Sequence, residues 1–493
     1  MQLYAEQAVA QHMSYLQKQF NQQANIKSGT IWKEFSAQLE LAVKQTDRWK
    51  SLKKEDMEEE AIRKTFNEPL PMRIFAWNKN RFIDTIMTPY DSLKYHKQTL
   101  QTGFLAVDPF TGEVKAWVGG VDFKTFKYDH VNINTKRQVG STIKPLLYSL
   151  AIEEAGFTPN TIVQDVQQNF DGYGMVPNTP KTCTFQSIPM AQALAESRNC
   201  SSAFIMKQIN GNSNEAAKQF VEYLKKCNIK SDIQPYPSIA LGAVEISLFE
   251  MVQAYTMFPG AGYNAQPFFI NRIEDKNGNV LESYSPQRRK VIKEETAYSV
   301  VSMMQGVIQK GTGRSMYSYA VPTQSIAGKT GTTNDNSDLW FMGYTPQLLA
   351  GAWVGCDDRY IRFSDNYFGQ GAHASLPIWA NFMSKVAADP ACNLDANASF
   401  ERPSSMLNDF NIDFISKDST GLEGMDDIIN TEDIKAESDY TLPDAEIASP
   451  VKNTAPNKTT PPIKNNSKDT KSKDTKANKE GAKPKALFPP KKN

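Results

Sequence analysis

The chain has 493 residues, of which 40% are hydrophobic, and its 55 Lys and Arg against 54 Asp and Glu leave a net charge of +1. That length predicts roughly three domains, and the balanced charge gives no electrostatic drive toward nucleic acid or another polyanion. The five cysteines (Cys183, Cys200, Cys227, Cys356, Cys392) contain no Cys-x-x-Cys pair, and the four histidines (His12, His96, His130, His373) show no metal-ligand spacing. Zinc and a disulfide framework are both disfavoured, although two cysteines could still join in an oxidising compartment.

Residues 1 to about 65 read as two polar helices, 1–20 and 31–54, the second running into the charged stretch 53–60. This chain shows no secretory signal and no run of about 20 apolar residues. Ser51-Leu52-Lys53-Lys54 has a Ser-x-x-Lys spacing but lies in that charged helix and reads as surface. From Pro69 to Leu100 the short runs RIFAW and TIMTPYDS suggest strands. Residues 104–107 and 114–118 flank Asp108-Pro109-Phe110-Thr111-Gly112, a turn signal that predicts a β-hairpin in which Asp108 and Thr111 serve the turn.

Next comes Arg137-Gln138-Val139-Gly140-Ser141-Thr142-Ile143-Lys144-Pro145, followed by the apolar run Leu146 to Ile152 at helical spacing. Pro145 is tolerated in a first helical turn, where its missing N–H is not needed, so Ser141 is expected at a helix N-terminus. Lys144 then lies one turn on along the same face, within reach of the Ser141 hydroxyl. A serine becomes a competent nucleophile when a neighbour takes its proton, and a lysine can do so when it is held neutral. Ser141 and Lys144 are therefore a candidate nucleophile and base.

The stretch from Ser141 to Gly313 is mostly helical, with clear periodicity in SNEAAKQFVEYLKKCNI and in KEETAYSVVSMMQGVIQKGTG, whose glycines mark a C-terminus. DVQQNFDGYGMVPNTPKTCTF reads as a loop near the site. Ser197-Arg198-Asn199 falls at a polar break between two helical runs. Arg198 reads as a solvent-facing residue of that break, and Cys200 as a small packing residue. Gly328-Lys329-Thr330-Gly331-Thr332-Thr333, a polar turn and Leu339-Trp340-Phe341-Met342 predict a strand hairpin, and LLAGAWVGCD predicts a further strand. Ser364-Asp365-Asn366, in a polar loop beyond these, reads as a turn. An early hairpin, central helices and late strands imply an α+β domain whose sheet is assembled from both ends. Past Leu394 an acidic stretch and then a Lys/Pro-rich one cannot bury enough apolar surface to offset ordering entropy, so a disordered tail is expected.

Ser-x-x-Lys, then Ser-x-Asn, then Lys-Thr-Gly is the motif order of penicillin-binding proteins and class A β-lactamases. With FLAVDPFTGEVKAWVGGVDF, RQVGSTIKP, SIALGAVEISLFEMVQAYTMFPGAGY, IAGKTGTTNDNSDLWFMGYTP and LPIWANFM, the region from about 70 to 390 resembles the transpeptidase half of a class A penicillin-binding protein. The resemblance implies a penicillin-binding protein/serine β-lactamase-like fold: an antiparallel sheet with flanking helices and an inserted helical subdomain. It divides the chain into a helical linker at 1–68, a transpeptidase domain at 69–393 and a tail at 394–493. Class A proteins begin with a membrane anchor and a glycosyltransferase domain, neither of which is found here, so the chain is expected to be a fragment or to have a late-placed start. Glycan polymerisation is not assigned to it.

The resemblance further implies that Ser141 attacks the penultimate D-alanine carbonyl of a D-Ala-D-Ala stem peptide, with Lys144 taking its proton. Ser141 and Thr332 N–H groups would form the oxyanion hole. Ser197 would relay a proton to the departing D-alanine, and Asn199 would orient the substrate amide. Lys329 would help keep Lys144 neutral and, with Thr330, Gly331 and Thr332, bind the terminal carboxylate. The expected function is D,D-transpeptidation, with β-lactams as acylating inhibitors and no metal or organic cofactor. Peptidoglycan stem peptides and the cell-wall synthesis machinery would be partners, at the extracytoplasmic or periplasmic face of the cytoplasmic membrane. The alternatives are a D,D-carboxypeptidase, a β-lactamase-like hydrolase, for which Glu196 adjoins the second motif without any mark of a base, and a non-catalytic penicillin-binding sensor or scaffold.

Overall fold

The apolar stretches at 101–118 and 327–355 come together as one five-stranded antiparallel sheet in the computed structural model, which describes residues 1–210, 213–406, 411, 412 and 414. In chain order the elements that build and cover it are helix α1 (Gln2–Gln22), strands β1 (Gln101–Val107) and β2 (Val114–Val118), and helices α2 (Lys144–Ala155), α3 (Asn199–Ile209), α4 (Leu248–Tyr255) and α5 (Glu294–Lys310). Strands β3 (Ala327–Thr332), β4 (Asp338–Tyr344) and β5 (Leu349–Gly355) and helix α6 (Leu376–Ala388) follow. The order across the sheet is β3-β4-β5-β1-β2. The two ends of the domain meet where β5 pairs with β1, Leu349 opposite Val107 and Gly355 opposite Gln101. Helices α2 to α5 fall between them in sequence, as the inserted helical part.

Side chains alternate along a strand, and both faces of this sheet are covered, which is why its strands read as nearly continuous apolar runs. Leu105, Val107, Trp340, Met342 and Trp353 join the core shared with α2, α4 and α5. Phe104, Ala106, Phe341, Ala352 and Val354 join the core shared with α1 and α6. Strand β3 is left at an edge, with its outer side toward the helical part.

The segment expected to be a helical linker packs in two parts. Helix α1 buries Ala5, Val9, Met13, Leu16 and Phe20 against the sheet. Its polar face is used as well: Gln17 Oε1 accepts the Leu100 N–H (2.7 Å), and Gln2 accepts from Trp117 N (2.8 Å) and donates to Trp117 O (3.0 Å) on strand β2. That pairing satisfies backbone groups an edge strand would otherwise expose. Three later helices, Ser36–Gln45, Asp47–Lys54 and Glu59–Phe66, enclose a small cluster of Val43, Trp49, Ile62 and Phe66. Ser51, Lys53 and Lys54 are exposed there, as expected.

Helix α5 ends before Gly311 as its pattern predicts, but for another reason. Gly311 has φ −113°, outside the left-handed region, and a Cβ on it would lie 2.1 Å from the Ala195 carbonyl oxygen. The glycine allows α5 to meet the helix Met190–Ala195. At the other end, the tail does not start free at residue 394. Asp395 N–H donates to Gln347 Oε1 (2.7 Å), Phe400 packs on Tyr344 and Phe414 lies beneath Lys310. Of the acidic and Lys/Pro-rich tail, residues 407–410, 413 and 415–493 lie outside the described residues.

Candidate active site

The Gly140–Ser141 turn is a single 3₁₀ turn, Gly140–Ile143, running directly into α2 with Pro145 in its first turn. Gly140 has φ +51°, a conformation that L side chains rarely adopt. The turn is braced from several directions. Gly140 N–H donates to Gly242 O (3.1 Å), Val139 N–H to Val244 O (3.1 Å), Trp340 Nε1 to Gln138 O (2.8 Å) and the Tyr255 hydroxyl to Thr142 O (2.5 Å). Gly242, itself at φ +79°, approaches so closely that a Cβ there would lie 1.9 Å from Gly140 O. Ser141 is left partly exposed on this rigid turn.

Lys144 and Lys329 are both completely buried. Lys144 Nζ donates to Ser197 O (2.5 Å) and Asn199 Oδ1 (2.7 Å), and lies 3.4 Å from Ser197 Oγ. Lys329 Nζ donates to Ser197 Oγ (2.9 Å) and Thr330 O (3.0 Å). Neither amine has a carboxylate among these partners. Burial away from a bonded carboxylate disfavours charge, so burial, reinforced by Lys329 and only partly opposed by Asp165, holds Lys144 well below the ordinary lysine range. Burial pushes Lys329 down to about 7. The expected direct contact between Lys144 and the Ser141 hydroxyl is not among the amine's hydrogen bonds. A neutral amine has two N–H donors and one lone pair, and Ser197 O and Asn199 Oδ1 use both donors.

Ser197 carries the geometry that joins the two lysines. It sits in the left-handed region (φ +57°) between the helix Met190–Ala195 and α3, a conformation costing about 1–3 kcal/mol in a non-glycine residue. The sharp bend turns its carbonyl toward Lys144 and its hydroxyl toward Lys329. Asn199 is the first residue of α3.

Along the third wall runs β3. Thr333 N–H donates to Asp338 O (3.2 Å) across to β4. Since N–H directions alternate along an antiparallel strand, the Thr332 N–H points off β4, toward the Ser141 turn. The approach is close: a Cβ on Gly140 would lie 2.8 Å from Thr332 O, and one on Gly331 would lie 2.8 Å from Thr142 Cγ2. Thr332 Oγ1 accepts from Gly371 N–H (3.1 Å), and the Thr330 and Thr312 hydroxyls are 2.7 Å apart. The three motifs chosen from the sequence thus converge on one site.

Two expectations are corrected. Arg198 does not face solvent: its guanidinium is paired with Glu196 (2.6 and 2.8 Å), with both side chains about four-fifths covered. Cys200 is not merely packed, because it is disulfide-bonded to Cys183. The Arg198–Glu196 pairing, with Gln192 donating to Glu196 Oε1 (3.0 Å), occupies the carboxylate next to the second motif in sequence. Ser364-Asp365-Asn366 is a turn, with Asp365 Oδ1 accepting from Phe368 N–H (2.8 Å). Gly242, Gly371, Thr312 and Asp165 were missed. Gly242 alone left a sequence signal, as a glycine breaking the apolar run SIALGAVEI.

Residues 102–354 match the family described as penicillin binding protein transpeptidase domain, and residues 18–100 match the penicillin-binding protein middle domain. Curated relatives include penicillin-binding protein 1A of Aquifex aeolicus, 31% identical over 309 residues, and penicillin-binding protein 2D of Bacillus subtilis, 35% identical over 296. These alignments cover 62% and 58% of this chain, and the chain spans 40% of either relative's length. Among solved structures, penicillin-binding protein 1A of Haemophilus influenzae superposes with a TM-score of 0.54 at 22% identity, covering 62% of this chain and 49% of that one. PonA1 of Mycobacterium tuberculosis, solved in complex with penicillin V, gives 0.51 at 20% identity, covering 73% and 95%.

Proposed function

The chain belongs to the penicillin-binding protein transpeptidase family, and from that membership and the site geometry we propose that it is a serine D,D-transpeptidase of peptidoglycan, acylated by β-lactams at Ser141. The observation that carries this reading is the pair of buried amines, neither hydrogen-bonded to a carboxylate, meeting at Ser197, one of them a helical turn from Ser141. Ser141 Oγ attacks the carbonyl of the penultimate D-alanine while its proton passes to the lone pair of neutral Lys144. The oxyanion is held by the N–H groups of Ser141 and Thr332, an arrangement worth roughly 100- to 1000-fold in rate per donor.

On collapse the C–N bond to the terminal D-alanine breaks. The proton held by Lys144 is delivered through the Ser197 hydroxyl to the departing amine. Lys329, protonated, binds the terminal carboxylate with the Thr330 and Thr332 hydroxyls, and Asn199 both orients the substrate amide and holds Lys144. An amine of a second stem peptide then attacks the acyl-enzyme, restoring Ser141 and forming the cross-link. The substrate places the work at the extracytoplasmic face of the membrane.

The occupied state of Glu196 disfavours the β-lactamase alternative, which needs a carboxylate free to activate water. Incubation with a D-Ala-D-Ala stem peptide and an amine acceptor, followed by chromatography of the products, tests the reaction. Cross-linked product with released D-alanine is expected. Released D-alanine with water as sole acceptor would make the protein a carboxypeptidase.

A further inference from the structure

Asp165 is a completely buried carboxylate with no part in the chemistry above. Its Oδ1 accepts from the Ser201 N–H (3.0 Å) and hydroxyl (2.9 Å), and its Oδ2 from the Thr184 N–H and hydroxyl (both 2.9 Å). Ser201 is the third residue of α3, where an N-cap side chain ordinarily accepts a hydrogen bond. Arg198, at that N-cap, makes no such bond and is committed to Glu196. Asp165 thus caps α3 from a distant loop, with the negative charge a helix N-terminus favours.

The disulfide stands beside these bonds. Cys183 precedes Thr184, and Cys200 precedes Ser201, so the covalent link joins directly the two pieces of chain that Asp165, from a third, bridges with four hydrogen bonds. Asn199 comes immediately before Cys200 and receives the Lys144 N–H. The charged and polar groups facing the Lys144 amine are Lys329 from β3, Arg198, Ser197 and Asn199 from the start of α3, and Asp165 from the loop.

We propose that Asp165 and the Cys183–Cys200 disulfide form a clamp that positions Asn199, and through it the Lys144 amine, for acyl transfer. This inference rests on the transpeptidase reading. Asp165 acts as a positioning residue with two separable effects. Its hydrogen bonds fix the first turn of α3, and its charge favours the protonated form of Lys144 against Lys329 and Arg198.

The test is the second-order rate of acylation by a fluorescent penicillin across pH, with thermal melting alongside, for wild type, Asp165→Ala, Asp165→Asn and the Cys183→Ser/Cys200→Ser double variant. Asp165→Ala should lose roughly 10- to 100-fold on the plateau of its pH profile, the cost of a small misplacement. Asp165→Asn keeps the shape and one acceptor, so it should lose less. Without the anion, Lys144 deprotonates more readily, and the acid limb of its profile should move to lower pH, which a purely structural defect would not cause. The double variant, and wild type in dithiothreitol, should both lose several-fold. Should Asp165→Ala not fold, Asp165→Asn decides. An Asp165→Asn profile superimposable on wild type, with the double variant at the wild-type rate, would overturn the clamp alone. A folded wild type that takes up no penicillin would overturn the transpeptidase reading and the clamp with it.

Discussion

Lys144 donates to Asn199, with Nζ 2.7 Å from Oδ1, and this bond ties the first motif to the second inside a buried site. Asn199 suits the position because it accepts a hydrogen bond without carrying charge. Asn199→Asp would place a carboxylate against the amine and favour its protonated form. The acid limb of penicillin acylation should move to higher pH, with a loss of roughly 100-fold at neutral pH. Stopped-flow acylation across pH checks the direction, and an unmoved limb would mean that Asn199 does not control the Lys144 proton.

Burial of Lys144 costs stability because the same lysine is charged in the unfolded chain at neutral pH. Lys144→Met fills similar volume without that cost but leaves Ser197 O and Asn199 Oδ1 without their donor, so the two effects should offset to within about 1–3 kcal/mol of stability, while acylation falls roughly 10²- to 10⁴-fold. Denaturant unfolding and acylation measured on one preparation separate the two effects.

Lys329 titrates near 7 in the folded protein against an ordinary 10.5. Being depressed, it contributes stability that is fully present above 10.5, falls as pH drops toward 7 and is flat below, because the unfolded chain binds the proton first. The whole change is of the order of 5 kcal/mol. Lys329→Gln should remove most of that slope in urea midpoints between pH about 7 and 10. The folded protein also loses the Lys329 charge above pH 7, so its affinity for a carboxylate-bearing penicillin should weaken there, while affinity for the methyl ester should not.

Gly242 lies outside the catalytic motifs yet touches the turn that carries Ser141. Gly242→Ala adds a Cβ 1.9 Å from Gly140 O at a residue with φ +79°. A destabilisation of at least about 2 kcal/mol is expected, together with acylation lowered more than Gly156→Ala lowers it. Gly156 also has positive φ (+72°) but would meet nothing within 4 Å, so it isolates the clash from backbone strain. Melting curves and penicillin labelling of the two variants provide the comparison.

The three motifs were legible because each depends on neighbours in sequence. Pro145 and the apolar spacing after it mark a helix start, the Lys-Thr-Gly hairpin has its own turn, and Ser197 stands at a break between helical runs. What joins them was not legible. Cys183 pairs with Cys200, Arg198 with Glu196, and Asp165 with Ser201 and Thr184. The two longer-range links depend on where a loop returns, and the Arg198 pairing depends on a left-handed residue between its partners. The first helix was read as a helix, but its packing was not legible, for a different reason. His12 and Gln17 look like surface residues, yet each is buried against a backbone partner, His12 Nε2 at 2.9 Å from Ala374 O and Gln17 on Leu100.

The central claim is that Ser141 is the acylated nucleophile, and intact-protein mass spectrometry after incubation with a penicillin, with peptide mapping of any adduct, tests it most directly. A long-lived adduct of one penicillin on the peptide containing Ser141, absent from Ser141→Ala, is the expected result. A folded protein that neither gains mass nor consumes the antibiotic, or an adduct that persists in Ser141→Ala, would contradict it.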